Sequence, residues 1–290
     1  MTRHVHAADG EPLAYRIHGT PGKTPIITVH GLVSSIEHWQ IFTPYFAAHR
    51  PVVSWEYRGH GGRPAPRDPA TVSIPHFAED MHAVMRAAEL PPAIVTGLSF
   101  GVQVALELYR AHRDSVRALV LICGTAGHPL DRVSRSPMLR RLVADTIRGL
   151  ASQRFIADPV LSFLRSKTGM RIACELAFRT GGAHRDACPN EVLEQLFGHA
   201  GNLDPAVLGA ITASYLEHSA WDVLPTITVP TLIIAGDADQ LTPVDTAERM
   251  REAIPNAELV VFAGHTHLVQ VEKPHEVHAA IDDFLQRNRF

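Results

Sequence analysis

The sequence has little of what would place it in several broad classes of protein. Only three of its 290 residues are cysteine, and three scattered cysteines make a poor disulfide framework. Such sparse use of cysteine is typical of proteins from a reducing compartment. No run of about 18 apolar residues occurs, so we expect no membrane-spanning helix. The first residues also lack the apolar segment of a secretory signal peptide. These absences favour a cytoplasmic protein.

The chain also lacks an excess of basic charge. Its 27 Lys and Arg residues are outnumbered by 30 Asp and Glu residues, which gives a formal net charge of −3. Proteins that bind nucleic acids usually carry clustered positive charge, so we expect no nucleic-acid partner and, with no apolar span, no membrane partner. Hydrophobic residues make up 46% of the chain and charged residues 20%, as in an ordinary globular protein. We expect a small-molecule substrate, and the oligomeric state stays open.

What the sequence does contain is an alternation of short apolar runs with helical patterns. Continuous apolar or β-branched runs predict strands that are buried on both faces, in a mostly parallel sheet wrapped by helices. The runs cover residues 26–29, 52–55, 93–96, 118–122, 231–235 and 259–262. Residues 3–5 and 13–17 are expected to add an antiparallel pair at one edge. The predicted fold class is therefore α/β, with eight strands.

One long stretch interrupts this alternation. Residues 127–228 show no convincing strand, whereas apolar residues recur there at helical spacing. About a hundred residues is too long for an unstructured loop in a compact domain. We therefore expect a core of residues 1–126 and 229–290 and an inserted helical cap domain of residues 127–228. Five aromatic residues of the insertion are expected to pack inside the cap rather than line a pocket: Phe155, Phe163, Phe178, Phe197 and Tyr215.

A candidate nucleophile stands between a predicted strand and a predicted helix. Gly97, Ser99 and Gly101 form a Gly-x-Ser-x-Gly motif. Where a strand turns sharply into a helix, the turn residue takes strained dihedral angles and flanking glycines let the backbones approach. The serine hydroxyl then projects above the sheet beside the helix N-terminus, which favours developing negative charge. The alternative interpretation is a serine that only caps the helix.

With this motif the chain resembles the α/β-hydrolase superfamily over essentially its whole length. Residues 28–32 (Thr-Val-His-Gly-Leu) look like the His-Gly segment after the third strand of that fold, and residues 57–61 (Tyr-Arg-Gly-His-Gly) look like the loop after the fourth. Glu56 stands where relatives usually carry aspartate, and we interpret it as structural. A serine at position 99, rather than aspartate, points away from the epoxide-hydrolase and haloalkane-dehalogenase branches.

The resemblance implies an oxyanion hole built from backbone groups. Acyl transfer needs two N–H donors aimed at the oxygen of the tetrahedral intermediate. One is expected from Phe100, which follows the nucleophile, and the other from Leu32, in the loop after the third strand. His30 could be read as a catalytic base, but the resemblance favours a role in bracing this loop.

The acid of a catalytic triad has two candidates after the strand at residues 231–235. In the family the acid lies three residues after a turn glycine and four before a proline. Gly236 and Pro243 therefore select Asp239, which would hold the imidazole tautomer and stabilise the imidazolium. Asp237 is the alternative, and it is better interpreted as a side chain that forms the turn.

The base also has two candidates. A glycine-histidine pair is common in the family and favours His265. Relatives, however, place the histidine five residues before a glutamate and seven before a proline, and Glu272 and Pro274 have that spacing from His267. We choose His267, because the distance to the final helix fixes where the loop delivers the imidazole. The His-x-His pair could also suggest a metal site, but further ligands are lacking, so neither a metal nor another cofactor is expected.

Ser99, Asp239 and His267 make a cofactor-independent serine hydrolase the leading hypothesis. Its substrate would be a small to medium, largely apolar ester, lactone or thioester under the cap. One alternative is C–C bond hydrolysis of a diketone-like substrate, although residues 32–35 lack the Gly-rich stretch common in that branch. Acyl transfer to an acceptor other than water uses the same triad. A receptor of the same fold that binds without turnover is the alternative outside the enzymes.

Overall fold

A single eight-stranded sheet forms the centre of the protein. The computed structural model describes residues 1–129 and 136–290. In the sheet the strand order is β1-β2-β4-β3-β5-β6-β7-β8. The strands are β1 Thr2–His6, β2 Pro12–His18, β3 Ile26–Val29, β4 Val52–Glu56, β5 Ala93–Leu98, β6 Val116–Ile122, β7 Thr231–Gly236 and β8 Glu258–Phe262. β1 and β2 are antiparallel to each other, β2 is antiparallel to β4, and the remaining pairs are parallel. All eight predicted strands are confirmed, to within two residues at each end.

Helices follow most of the parallel strands. They are α1 Phe42–Ala47, α2 Ile74–Ala87, α3 Phe100–His112, α4 Pro137–Ser152, α5 Arg154–Arg165, α6 Lys167–Arg179, α7 Asn190–Asn202, α8 Pro205–Glu217, α9 Val244–Ala253, α10 Val269–Glu272 and α11 Pro274–Arg287. Within the two described ranges, no helix is both long enough and apolar enough to cross a membrane.

Alternate residues of each strand belong to two separate apolar clusters. On one face Ile27 and Val95 pack with residues of α2, α3 and α9, and on the other face Ile26 and Ile94 pack with residues of α1 and α11. Successive side chains of a strand point to opposite faces, so a strand covered on both sides must be apolar throughout. This double burial explains why the strands were visible as continuous apolar runs.

Five of the helices, α4 to α8, lie between β6 and β7 in the described chain. Gly127 and Ser219 form an isolated antiparallel bridge, so the two ends of the segment lie side by side. The last of the five, α8, also packs on the core. Its Val207 and Ile211 lie in the cluster of α2 and α3, and the Ile74 N–H donates to Ser214 Oγ at 3.0 Å. The helical segment is therefore anchored to the core through α8.

A buried histidine on α11 makes the stability of this fold depend on pH. The ring of His278 is stacked 4.4 Å from that of Tyr45 and lies 5.3 Å from that of Phe46. Burial lowers the pKa of His278 from 6.5 to about 4, although Asp282 acts in the opposite direction. Between these values the unfolded chain binds a proton that the folded chain does not. His278 therefore favours the folded state above pH 6.5, and this contribution is lost as the pH falls towards 4.

We expect His278→Phe to reduce the loss of stability between pH 7 and pH 5. Between pH 7 and pH 5 the unmodified chain should lose on the order of 2 kcal/mol more of its free energy of unfolding than His278→Phe does. Urea unfolding at both pH values measures this difference. The exposed His275 on the same helix provides the control, because His275→Gln should leave the pH dependence close to that of the unmodified chain. Equal pH dependence in all three proteins would contradict the assignment.

Candidate active site

Ser99 occupies the sharp turn from β5 to α3. Its backbone has φ of 54° and ψ of −115°, a strained conformation for a residue with a side chain. A Cβ on Gly97 would lie 2.6 Å from the Gly101 carbonyl oxygen, and a Cβ on Gly101 would collide with the Val29 carbonyl oxygen. Both glycines are thus required by the close approach of backbones around the turn. Because α3 begins at Phe100, the serine also lies at the N-terminus of that helix.

Ser99, His267 and Asp239 form a continuous chain of hydrogen-bonding atoms. His267 Nε2 lies 2.9 Å from Ser99 Oγ, and His267 Nδ1 lies 2.8 Å from Asp239 Oδ2. The three residues follow β5, β8 and β7 at the carboxyl edge of the sheet. A carboxylate can only accept, so Nδ1 carries the proton and Nε2 is left to accept from the serine hydroxyl. The arrangement can withdraw a proton from Ser99 and hold the resulting positive charge.

The loop after β7 holds the Asp239 carboxylate from several sides. The Leu241 and Thr242 N–H groups donate to Oδ1 at 2.8 and 2.9 Å, and Thr242 Oγ1 donates to Oδ2 at 2.7 Å. Burial acts to raise the pKa of Asp239, but the charge of His267 and the bonds from His267 and Thr242 outweigh it, so the pKa lies below 3.8. Asp239 is therefore ionised and fixed in orientation at neutral pH.

His265 has a different neighbour from His267. Its Nδ1 lies 3.2 Å from Glu272 Oε2, an oxygen that also accepts from the Thr266 N–H at 2.9 Å. The other oxygen, Oε1, accepts from Thr266 Oγ1 and, at 2.8 Å, from the His184 N–H. Of the two candidate bases the structure thus brings His267 to Ser99 and places His265 on Glu272. Asp237 accepts from the Gly264 N–H at 2.6 Å and ties the two loops together.

Glu272 and Thr242 are the residues that the sequence did not assign to the site. Glu272 served only as a marker of spacing, yet it is a buried carboxylate that fixes the loop on which His267 stands. The spacing itself pointed to this role, because a glutamate at a fixed distance from the candidate base suggests a contact with its loop. Thr242 gave no signal, since one threonine in a turn is common.

The two candidate oxyanion donors lie beside the serine. Phe100 is the first residue of α3, so its N–H has no acceptor within the helix. Leu32 lines the same cavity as Ser99 and follows Gly31, where an added Cβ would be 3.8 Å from Ser99 Cβ. Phe100 follows Ser99 in the chain and Leu32 lines the same cavity, so the placement of both residues is compatible with the predicted donor roles.

His30 and Glu56 hold the loop after β3, which contains Leu32. The Tyr57 hydroxyl donates to the His30 carbonyl at 2.7 Å, and His30 Nδ1 lies 3.0 Å from the Gly31 carbonyl oxygen. The Ile36 N–H donates to Glu56 Oε1 at 2.9 Å, and His30 Nε2 lies 3.5 Å from the other oxygen. Burial acts to raise the pKa of Glu56, but His30 and the Ile36 N–H lower it below its usual value. Glu56 is therefore an acceptor inside the fold, as a structural role requires.

A cavity of about 630 Å³ opens above Ser99 and His267. Its walls are mainly apolar and come from the core and from α6, α7 and α8. They include Leu32, Val33, Leu98, Ala173, Leu176, Ala177, Leu193, Leu196, Phe197, Tyr215, Leu216, Leu241 and Leu268. His38 is one of the polar residues in the walls, and its Nε2 lies 2.9 Å from Gln270 Nε2. Burial lowers the pKa of His38 to about 4, so its ring is neutral at pH 7. The cavity suits a largely uncharged molecule.

The expectation that the five aromatic residues pack only inside the helical segment is wrong for most of them. Phe197 and Tyr215 line the cavity, and Tyr215 also contacts the Phe100 ring at 5.5 Å. Phe155 and Phe163 are exposed, at 76% and 51%. Phe178 packs as expected, against a small cluster around Leu193 that Phe197 also contacts. Helical periodicity shows which residues share a face but does not show whether that face meets protein, cavity or water.

Several known proteins are similar to this chain. A family model described as the alpha/beta hydrolase fold matches residues 24–274. Pimeloyl-[acyl-carrier protein] methyl ester esterase of Aromatoleum aromaticum is 28% identical over 90% of this chain and 98% of its own length. Human Protein ABHD8 is 24% identical over 92% of this chain, which spans only 56% of that protein. The solved structure of Est816, described as an N-acyl homoserine lactone degrading enzyme, has a TM-score of 0.72 and 25% identity, covering 97% of this chain and 100% of that one.

Proposed function

From the premise that this chain belongs to the α/β-hydrolase fold family and is a cofactor-independent hydrolase, we propose that it cleaves carboxylic esters, lactones or thioesters through an acyl-enzyme on Ser99. The observation that carries the proposal is the pair of contacts made by His267, at 2.9 Å to Ser99 Oγ and 2.8 Å to Asp239 Oδ2. A candidate base must lie within hydrogen-bond reach of the proton that it removes, and His267 does.

The proposed reaction begins at the serine hydroxyl. Ser99 Oγ attacks the carbonyl carbon while His267 Nε2 takes its proton, and the oxyanion accepts hydrogen bonds from the Leu32 and Phe100 N–H groups. As the intermediate collapses, the bond to the leaving group breaks and His267 returns its proton to that group. A water molecule then attacks the acyl carbon, again losing a proton to His267, and the acid leaves as Ser99 is regenerated.

The walls of the cavity favour a small to medium, largely apolar substrate. An apolar pocket binds by removing apolar surface from water, and a few polar groups fix the orientation. The relatives named above as a methyl ester esterase and a lactone-degrading enzyme favour an ester or a lactone over a diketone. The roles of α6, α7 and α8 in the walls support a cap made of residues 127–228 over a core of residues 1–126 and 229–290.

A substrate panel with an active-site label tests the proposal. A fluorophosphonate should label the unmodified protein and fail to label Ser99→Ala, and an aryl ester or a lactone should be turned over. Turnover of a diketone alone would replace the proposal with C–C hydrolysis. Labelling without turnover of any compound would instead favour a receptor, and product formation only with an added alcohol would favour acyl transfer.

Hydrolysis should also survive removal of metal ions. No proton or electron pair in the proposed reaction passes through a metal, so exhaustive dialysis against a chelator is expected to change kcat by less than about twofold. The measurement is turnover of the best ester before and after dialysis. Loss of activity that zinc restores would revive a metal site at His265 and His267.

A further inference from the structure

Two imidazoles and a carboxylate converge far from Ser99, between α2 and α3. Glu79 and His82 stand three residues apart on α2 and so share one face of that helix. His112 ends α3, and its ring is stacked on that of His82 with the ring centres 3.7 Å apart. His112 Nε2 also lies 2.9 Å from Glu79 Oε1. One ligand atom from each of the three side chains lies within 4.8 Å of the other two.

We propose that Glu79, His82 and His112 bind a transition-metal dication of the zinc type. Two histidines and one carboxylate are a recognised ligand set for zinc, which binds imidazole nitrogen at about 2.0–2.1 Å and leaves a fourth position for water. A Glu-x-x-His pair on one helix turn is also a spacing by which helical proteins present metal ligands. To bind one ion, the three donor atoms would draw together from separations of up to 4.8 Å, and the two imidazole rings would turn out of their stacked arrangement.

The exposure and chemistry of the three side chains suit a metal. His82 and His112 are partly exposed, so water and an ion can reach their ring nitrogens. Glu79 is more than half exposed and supplies negative charge against the metal. Because His112 follows His82 by 30 residues, no local spacing in the sequence reveals the group.

The position of this cluster determines what a bound metal would do. α3 runs for 13 residues from Phe100 to His112, so the metal would lie about 18 Å along the helix axis from the turn at Ser99. At that distance it takes no part in hydrolysis. It would instead join the end of α3 to α2, which pack along each other in the main apolar cluster. A ligand that binds only the folded chain raises its melting temperature.

Zinc titration of the full chain without a histidine tag tests the proposal. Isothermal titration calorimetry should show one tight site, and zinc at a hundredfold excess over its Kd should raise Tm by about 4 °C. At the same zinc concentration, His82→Gln and His112→Gln should each weaken binding at this site at least tenfold and reduce the Tm shift to about half or less. His76→Gln, an exposed histidine on α2 outside the cluster, should keep both.

The variants also separate this site from the other histidines and from the active site. Equal zinc binding by His82→Gln and the unmodified chain, or no Tm shift with zinc in the unmodified chain, would overturn the proposal. A fall in kcat on removal of zinc would also overturn the proposal, because a metal at the far end of α3 from Ser99 should take no part in hydrolysis. Melting temperatures in chelator show whether the variants fold, so a failed fold is not mistaken for a lost ligand.

Discussion

Replacing Ser99 with alanine is expected to lower kcat for any ester substrate by about four to six orders of magnitude. Alanine cannot attack the carbonyl carbon, so only water attack assisted by the oxyanion donors and by binding remains. The substitution also keeps the backbone turn, because alanine is no larger than serine. Turnover of the best ester, followed to completion at high enzyme concentration, measures the loss.

Ser54 offers a matched control for this substitution. It is a buried serine in β4 whose hydroxyl accepts from Thr28 Oγ1 at 3.0 Å, and it does not line the cavity. Ser54→Ala should therefore lower stability slightly and leave kcat within about threefold. If Ser99→Ala retained more than about a tenth of the original turnover, Ser99 would not be the nucleophile.

The second large effect is expected from His267→Ala, which should lower kcat about as much as Ser99→Ala. His265→Ala should cost less than about tenfold, because His265 contacts Glu272 and not the serine. Two residues of extended chain separate side chains by about 6–7 Å, so the two histidines cannot serve the same serine and the same Asp239. The comparison needs only the two single variants and one ester.

The double variant Ser99→Ala with His267→Ala sharpens this test. Members of a triad act as a unit, so the double variant should lose little more activity than either single variant. Additive losses would mean that the two residues act independently. An inactive His265→Ala beside an active His267→Ala would mean that the glycine-histidine pair is the better guide to the base in this chain.

The sheet and its turn were predictable because the constraints on them are local. A strand buried on both faces must be apolar throughout, and the turn at Ser99 needs glycines at fixed positions, so both leave a pattern in consecutive residues. The choice of Asp239 over Asp237 rested on distances to a glycine and a proline. In the structure the Asp239 carboxylate, unlike that of Asp237, accepts bonds from Leu241 and Thr242 and lies within hydrogen-bond distance of His267.

The walls of the cavity could not be predicted in the same way. Phe197 and Tyr215 belong to helices whose partners are distant in the sequence, and periodicity alone cannot tell a cavity from a core. The packing of α8 on α2 is another such contact, between Ile74 and Ser214. A group such as Glu79, His82 and His112 is likewise formed only when two helices meet.

Glu272 links the wall of the cavity to the loop that carries His267. Its carboxylate accepts from His184, two residues beyond Gly182 in the cavity wall, and from Thr266, the residue before His267. Withdrawing residues 182–184 from the core would remove one of the bonds that hold that carboxylate, and rotating Glu272 would release Thr266. Two hydrogen bonds to one carboxylate thus connect residue 184, next to the cavity wall, with the residue before His267.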